Sequence, residues 1–200
     1  MAGLWQCMCM AVLICLTGAC SAPTASSLLP GGLTLIEGDI VLRRGLGVAS
    51  RAVLAADDGG EYSHVGIVVQ QGDTLCVVHA VPYEGEEDRV VMEPVWQFFS
   101  SSNAVAGMVL RSECRSVAQA AARHAVAVCC RGTLFNHDYD DSDTTRMYCS
   151  QLVEHVYAHA GLSLTRGVRH NISLPGFRFQ HVILPSDFVS SPALKVVCRF

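Results

Sequence analysis

The sequence has few charged residues and no basic block. Only 16% of its 200 residues are Asp, Glu, Lys or Arg, the formal net charge is −4, and no block of five or more basic residues occurs. Such a chain lacks the positive surface of nucleic-acid-binding proteins, so we expect no nucleic-acid partner. Half of the residues are hydrophobic, which excludes a disordered chain, and the length suits one domain.

Charge is also missing from the N-terminus, where the first charged side chain is Glu37. The apolar stretch from Leu4 to Leu16, followed by small residues, is typical of a secretory signal. Its end, "LTGAC", resembles a bacterial lipobox, which implies cleavage before Cys20 and attachment of lipid to the Cys20 thiol. An uncleaved anchor helix and plain secretion stay open as alternatives.

These features divide the chain into three predicted parts. Residues 1–19 form a signal peptide, residues 20–35 hold the lipidated cysteine and a flexible tether, and residues 36–200 form the folded domain. The expected location is the bacterial cell envelope, where a membrane-anchored lipoprotein would face the periplasm or the exterior.

The cysteines form no recognisable metal-binding pattern. Six lie in the body of the chain, at Cys76, Cys114, Cys129, Cys130, Cys149 and Cys198. No C-x-x-C pair occurs among them, and two adjacent cysteines suit neither a shared metal nor a mutual disulfide. We therefore predict no metal and no cofactor, and the sequence assigns no disulfide.

Apolar periodicity and turn-forming residues predict an α+β fold with centrally clustered strands. Strands are predicted in "GDIVLRRG" up to Gly45, then at Ser63–Val69, Thr74–Val81, around Arg89–Glu93, in "AGMVLRS", and near Ala193–Arg199. Helices are predicted at Val48–Ala56, from Ser116 to about Cys130, and from Cys149 to Gly161, with a helical turn at Val95–Phe99. The chain from Leu162 is otherwise expected to be rich in loops.

Two histidines lie inside a hairpin that is otherwise apolar. If Gln71 and Gly72 form the centre of the turn, His64 lies opposite His79, and such partners have Cβ atoms about 4.5–5.5 Å apart. The same alternation places Tyr62 on the face of both rings. A buried histidine needs a polar partner, and we predict that these two rings meet.

Cys149 begins a predicted amphipathic helix whose apolar stripe, including Leu152 and Val156, lies on the side of the thiol. Free N–H groups at a helix N-terminus favour thiolate, and a nearby imidazole could take the proton to leave a thiolate–imidazolium pair. We predict Cys149 as nucleophile, His64 as base and His79 as the group that orients the base. A buried, inert cysteine is the alternative.

Four phrases carry a family resemblance: "GDIVLRRG", "YSHVGIVV", "CVVHA" and "DYDDSDTTRMYCSQLVEHVYAHAGL". Together they resemble the circularly permuted branch of the NlpC-type papain-like cysteine hydrolases, the YiiX/YaeF-like group, in which the histidine strand precedes the Tyr-Cys-Ser helix. The resemblance covers Glu37 to Leu162. It implies a papain-like fold in which a central antiparallel sheet packs against helices.

The same resemblance implies roles for individual residues. Cys149 matches the nucleophile of the group and His64 matches the base. His79 falls where many permuted members have glutamate, and histidine fills the equivalent place in non-permuted relatives. Tyr62, on the face of His64, is a candidate to hold the oxyanion.

The implied chemistry is acyl-enzyme hydrolysis of an amide bond, with cell-wall peptides as the first expected substrate. A lipid acyl ester or an N-acyl amide is the second, and a pocket lined by apolar side chains would favour it. Two further classes stay open. One is a ligand-binding lipoprotein without turnover, and the other is a catalytic zinc held by Cys149, His64 and His79.

Other polar groups give weaker indications. The aspartates of "DYDDSD" lack the glycine and terminal glutamate of an EF-hand, and we interpret them as an acidic surface loop. His155 and His159 lie four residues apart, which is compatible with metal binding. No third ligand is near them in the sequence, so we interpret them as part of a solvated helix face.

Overall fold

The computed structural model describes residues 26–82, 88–174 and 177–200. The strands are β1 Ile40–Arg44, β2 His64–Gln71, β3 Thr74–Val81, β4 Arg89–Pro94, β5 Ala106–Ser112, β6 His170–Leu174, β7 Phe177–Val182 and β8 Leu194–Arg199. The helices are α1 Val48–Ala56, α2 Val95–Phe98, α3 Arg115–Cys130, α4 Cys149–His159 and α5 Pro185–Val189. The predicted signal peptide and Cys20 lie outside the described residues.

A six-stranded antiparallel sheet forms the centre of the fold, with strand order β4-β3-β2-β1-β5-β8. The side chains of β2 alternate between two apolar clusters. Val65 and Ile67 join the larger cluster, which includes residues of α3 and α4, whereas Val68 joins a smaller cluster with Phe98 and Phe99 on the other face. The predicted α+β, papain-like architecture is confirmed.

Helix α4 packs against β2 and β3 through the predicted apolar stripe. Leu152, Val153, Val156 and Tyr157 are fully buried. Each such aliphatic side chain contributes about 1.5–3 kcal/mol relative to an exposed one. This burial fixes the start of α4, and therefore Cys149, against the strand that carries His64.

The chain after α4 is more regular than predicted. Strands β6 and β7 form a separate two-stranded sheet, and α5 follows before β8. The first turn of α5 has Pro185 at its start and Asp187 in its interior, whose carboxylate accepts a hydrogen bond from the Leu184 N–H at 2.8 Å. Proline at the start and a carboxylate in the first turn both favour a helix N-terminus.

The described part of the predicted tether lies against the domain. The N–H of Leu28 donates to the Phe99 carbonyl, and the N–H of Ser101 donates to the Ser26 carbonyl, both at 2.8 Å. Leu29 also packs against the smaller apolar cluster. The domain therefore begins nearer to residue 26 than to residue 36. Within the described ranges, no helix has both the length and the apolar character needed to cross a membrane.

Candidate active site

The two histidines of the hairpin are joined by a hydrogen bond, in a register that differs from the predicted one. Nε2 of His64 lies 2.8 Å from Nδ1 of His79. Gln71 pairs with Thr74, so the turn is centred one residue later than predicted. Each residue of β2 therefore pairs with a residue two positions further along β3 than predicted. Because side chains alternate with a period of two, this shift leaves both rings on one face, as diagonal neighbours.

Gly66 provides space for this pair of rings. A Cβ atom added there would stand 2.4 Å from Cγ1 of Val77 and 3.1 Å from Cβ of His79. Any side chain at this position would therefore displace the strand that carries the second histidine.

Phe98 packs against both imidazoles. Its ring is stacked on that of His64, with 5.7 Å between centroids, and meets His79 edge-on at 5.1 Å. The guanidinium of Arg43 lies 4.4 Å from the centre of the same phenyl ring. These contacts restrict the orientation of both imidazoles.

Glu93 completes the group and was missed by the sequence reasoning. Its Oε1 lies 3.0 Å from Nε2 of His79 and 3.7 Å from Nη1 of Arg43. The His79 contact is short in distance but poorly aligned with the ring N–H. In the β3–β4 register Glu93 pairs with Val77, so it reaches His79 diagonally. The available signal was one acidic residue inside an otherwise apolar predicted strand.

These contacts favour one arrangement of the protons on the two rings. Because an ionised carboxylate only accepts hydrogen bonds, the proximity of Glu93 favours the tautomer in which Nε2 of His79 carries the hydrogen. Nδ1 of His79 then accepts a hydrogen bond from Nε2–H of His64. This leaves Nδ1 of His64 with a free lone pair, which is the state that a base requires.

Cys149 is the first residue of α4, as predicted. The start of the helix is held by Gln151, whose Oε1 accepts a hydrogen bond from the Tyr148 N–H at 3.2 Å. The Cys149 sulfur lies 3.9 Å from Oγ of Ser150. Nearby backbone N–H groups, including that of Val65 directly after His64, act to lower the pKa of the thiol.

The predicted nucleophile and both histidines line one cavity of ≈ 330 Å³ with mixed walls, named the polar cavity for the charged side chains that it contains. Arg43 and Glu93 line it as well. The structure therefore brings Cys149, His64 and His79 together at one site.

Burial determines the protonation of this site. Burial raises the pKa of the Cys149 thiol above its ordinary value and outweighs the hydrogen bonds that lower it. Burial, the positive charge of Arg43 and the neighbouring His79 lower the pKa of His64 well below its ordinary value. The pKa of His79 is also lowered by burial, against the opposing effect of Glu93.

These pKa shifts favour the neutral thiol and the neutral imidazoles over their charged forms. Burial therefore disfavours the predicted thiolate–imidazolium pair, which stays a prediction. The sequence indicates that Cys149 lies at a helix N-terminus, which favours the thiolate. It does not indicate how deeply the thiol is buried, and burial disfavours the thiolate more strongly.

Tyr62 does not lie where the sequence analysis placed it. Strand β2 begins at His64, so strand alternation does not extend back to Tyr62. The tyrosine is buried in the larger apolar cluster, whereas Val68 belongs to the smaller one. Tyr62 is not among the described residues that line the polar cavity.

A second cavity, of ≈ 290 Å³, adjoins the first, and Ala49, Val53, Tyr139 and Cys149 line both. Its walls come from α1, from the start of α4 and from the β6–β7 and α5 region. The lining residues are Ala49, Ala52, Val53, Ala56, His137, Tyr139, Tyr148, Cys149, Ser150, Ile172, Phe179, Val182, Ile183, Leu184 and Pro185. The sequence analysis missed this cavity because β6, β7 and α5 were not predicted.

Several of the remaining histidines contact one another or an acidic residue. His124 on α3 stacks on His159 with 3.8 Å between ring centroids, and its Nε2 lies 3.4 Å from Nε2 of His155. His170 contacts Asp187 at 2.8 Å. His155 is partly buried beside α3, whereas His159 stacks on His124 and stays exposed, so the predicted solvated helix face holds for His159 only.

The acidic loop pairs with arginines, since Asp138 and Asp143 both contact Arg146 at 3.0 Å. Within the described ranges, no group of three or more His, Cys, Asp or Glu residues is arranged to hold a metal ion. The hydrogen bond between Nε2 of His64 and Nδ1 of His79 occupies one nitrogen of each ring. All six body cysteines, which are among the described residues, are free thiols.

Comparison with known proteins places the chain in one family. Residues 34–198 match the model of a family described as permuted papain-like amidase enzyme, YaeF/YiiX, C92 family. No curated protein matches the sequence.

Among solved structures, the chain is similar to a protein of Escherichia coli O157:H7 described as metalloprotein yiiX. The TM-score is 0.65 with 21% sequence identity, over 82% of this chain and 97% of that one. At this identity the likeness supports the fold alone.

Proposed function

Because the chain belongs to the permuted papain-like amidase family, and is therefore a cysteine hydrolase acting on amide bonds, we propose that Cys149 is its nucleophile. His64 is the proposed base and His79 orients it, with Glu93 fixing the tautomer of His79. The observation that supports this assignment is the cavity that Cys149 lines together with His64 and His79, whose rings are joined by a hydrogen bond of 2.8 Å.

In the acylation step, the Cys149 sulfur attacks the amide carbonyl carbon as Nδ1 of His64 takes the thiol proton. The negative charge moves to the carbonyl oxygen, where N–H groups at the start of α4 can stabilise it. His64 then gives the proton to the leaving nitrogen, the C–N bond breaks, and an amine leaves a thioester on Cys149.

In the deacylation step, His64 takes a proton from water as the water oxygen attacks the thioester. The C–S bond breaks, a carboxylic acid leaves, and the proton returns to the sulfur. Through both steps, Nε2–H of His64 keeps its hydrogen bond to His79. A relay that starts from neutral groups needs no preformed thiolate, in agreement with the direction of both pKa shifts.

The test is a comparison of Cys149→Ala with Cys114→Ala, a matched removal of an exposed thiol outside the site. Hydrolysis of N-acyl amides and trapping of the thioester with hydroxylamine are both measured. We expect Cys149→Ala to abolish both signals and Cys114→Ala to retain them. Full activity in Cys149→Ala would remove the assignment.

We also propose that the protein is a lipoprotein of the bacterial cell envelope, anchored through Cys20. This proposal is supported by the uncharged apolar N-terminus and the "LTGAC" sequence. Cys20→Ser should release the protein from membranes, whereas Cys15→Ser, within the expected signal, should not. Membrane association of Cys20→Ser equal to that of the unaltered chain would contradict the lipid anchor.

A further inference from the structure

Three histidines outside the polar cavity lie where α3 packs against α4. His155 and His159 are one helical turn apart on α4, a spacing that is compatible with metal binding but that shows no third ligand in the sequence. The fold supplies a third imidazole from α3, because His124 contacts both of these rings. His124, His155 and His159 form the α3–α4 histidine cluster.

The distance between two ring nitrogens of this cluster suits a shared metal ion. Nε2 of His124 lies 3.4 Å from Nε2 of His155. Two imidazole nitrogens on one tetrahedral zinc ion, each at about 2.0–2.1 Å from the metal, lie about 3.3–3.4 Å apart. The hydrogen bond between His64 and His79 is much shorter, at 2.8 Å. The spacing in the cluster is therefore closer to that of two ligands than to that of a strong hydrogen bond.

The surroundings of the cluster keep its imidazoles in the neutral form that binds metal ions. Burial lowers the pKa of His124 and of His155, and the positive charges of His159 and Arg131 act in the same direction. Among the described residues, no carboxylate forms a hydrogen bond or an ion pair with either ring. Both Nε2 lone pairs are therefore available to a metal ion when the ring protons lie on Nδ1.

The two rings also need little rearrangement to bind an ion. The ring of His124 is stacked on that of His159, with 3.8 Å between centroids and 8° between the ring planes, which restricts its orientation. His155 is partly buried beside it, so its side chain is also confined. Ligands that are already ordered lose less entropy on binding. His159 is exposed, and rotation of its side chain can bring a third imidazole to the same ion.

We propose that the α3–α4 histidine cluster binds a divalent transition-metal ion such as Zn²⁺, with Nε2 of His124 and Nε2 of His155 as the ligands that are already in place. Water molecules fill the coordination positions that the protein leaves open. Neutral imidazole is a ligand that zinc accepts readily. The ion links α3 to the helix that begins at Cys149, and none of the three histidines is among the described residues lining the polar cavity. The site is thus distinct from that of the proposed reaction.

Zinc titration of the full chain, followed through the NMR signals of the histidine rings, tests the site. Zinc on Nε2 fixes the tautomer of each ring, so the signals of His124 and His155 should both change. Each ring is observed separately, so zinc at exposed thiols does not interfere. The midpoint of thermal unfolding should also rise, because the ion binds the folded chain.

Two variants measure the contribution of each ligand by isothermal titration calorimetry. His124→Gln and His155→Gln keep a polar side chain of similar size. Each should weaken zinc binding at least about tenfold, since loss of even an outer partner of a metal ligand costs about 10–100-fold. His181→Asn is the matched control, because it removes an exposed histidine and asparagine tolerates the φ of 59° at this position. It should bind zinc as the unaltered chain does.

Cys149→Ala separates this site from zinc held by Cys149, His64 and His79, and should retain zinc binding. Loss of binding in Cys149→Ala, or unchanged affinity in either glutamine variant, would overturn the site. Ring signals of His124 and His155 that stay fixed in the unaltered chain at about 1 mM zinc would overturn it without any substitution.

Discussion

Glu93 and His79 are not register partners, yet Oε1 of Glu93 lies 3.0 Å from Nε2 of His79. His79 pairs with Val91, and Glu93 is two residues further along β4 on the same face. This diagonal contact places a buried carboxylate at the end of the histidine pair, where it can select one tautomer of each ring.

We predict that Glu93→Gln lowers kcat/KM by about 10²–10⁴, as expected when an orienting carboxylate is replaced by its amide. The amide N–H can donate to Nε2 of His79, which would place the proton on Nδ1 and leave Nδ1 of His64 protonated. Glu113→Gln, an exposed carboxylate paired with Lys195, is the matched control and should keep full activity. A Glu93→Gln enzyme with unchanged kcat/KM would exclude this role for the carboxylate.

The thiol pKa leads to a second prediction, on alkylation. The pKa of Cys149 is raised by burial, so at about pH 7 it has less thiolate than an ordinary cysteine. The pKa of exposed Cys114 is lowered by hydrogen bonds from the Val117 N–H and from Ser116. Iodoacetamide should therefore modify Cys114 first, and the Cys149 rate should rise about tenfold per pH unit up to and beyond about pH 9.

Mass mapping after short exposure to iodoacetamide, repeated in a Cys114→Ala background, gives both rates. Faster alkylation of Cys149 than of Cys114 at about pH 6 would mean that the free protein does hold a thiolate.

The close contact of Gly66 with β3 gives a third prediction. Gly66→Ala should displace His79, costing about 1–3 kcal/mol of unfolding free energy by overpacking and lowering kcat/KM about 10²-fold by misalignment of the rings. Gly31→Ala is the control, because a Cβ there meets nothing within 4 Å. Urea denaturation and steady-state kinetics measure the two effects. Normal kcat/KM in Gly66→Ala would show that the histidine alignment tolerates the displacement.

The pairing of the histidines could be predicted from sequence because it depends mainly on strand parity. The turn was placed one residue too early, yet His64 and His79 stayed on one face, since the resulting shift is even. The site of Cys149 was likewise predictable, because the apolar stripe of α4 alone indicates which side of the helix is buried.

Other features of the site depend on contacts between residues that are far apart in the sequence. Local sequence patterns do not indicate such contacts. The role of Glu93 depends on the β3–β4 register, and the error at Tyr62 arose because β2 begins two residues later. The second cavity depends on β6 and β7, which are short and have an irregular register between His170 and Ile172. Burial depth at the thiol depends on the packing of all these elements together.

Arg43 provides the last prediction. Its positive charge is one cause, after burial, of the lowered pKa of His64, and it acts in the same direction on His79. A lowered imidazole pKa keeps His64 in its neutral, basic form as pH falls, so the acid limb of the kcat/KM profile should lie below about pH 6.5, the ordinary histidine value. Replacing Arg43 by Met removes a charge that disfavours the imidazolium. The acid limb should therefore move to higher pH.

The neighbouring Arg44, which is exposed, offers a matched control, and Arg44→Met should leave the limb in place. Because Arg43 also donates to the Phe98 carbonyl at 2.8 Å, its loss can lower the maximal rate without affecting where the limb lies. The position of the limb, fitted separately from the plateau, is thus the relevant measurement. A limb that stays fixed or moves to lower pH in Arg43→Met would show that this charge does not set the basicity of His64.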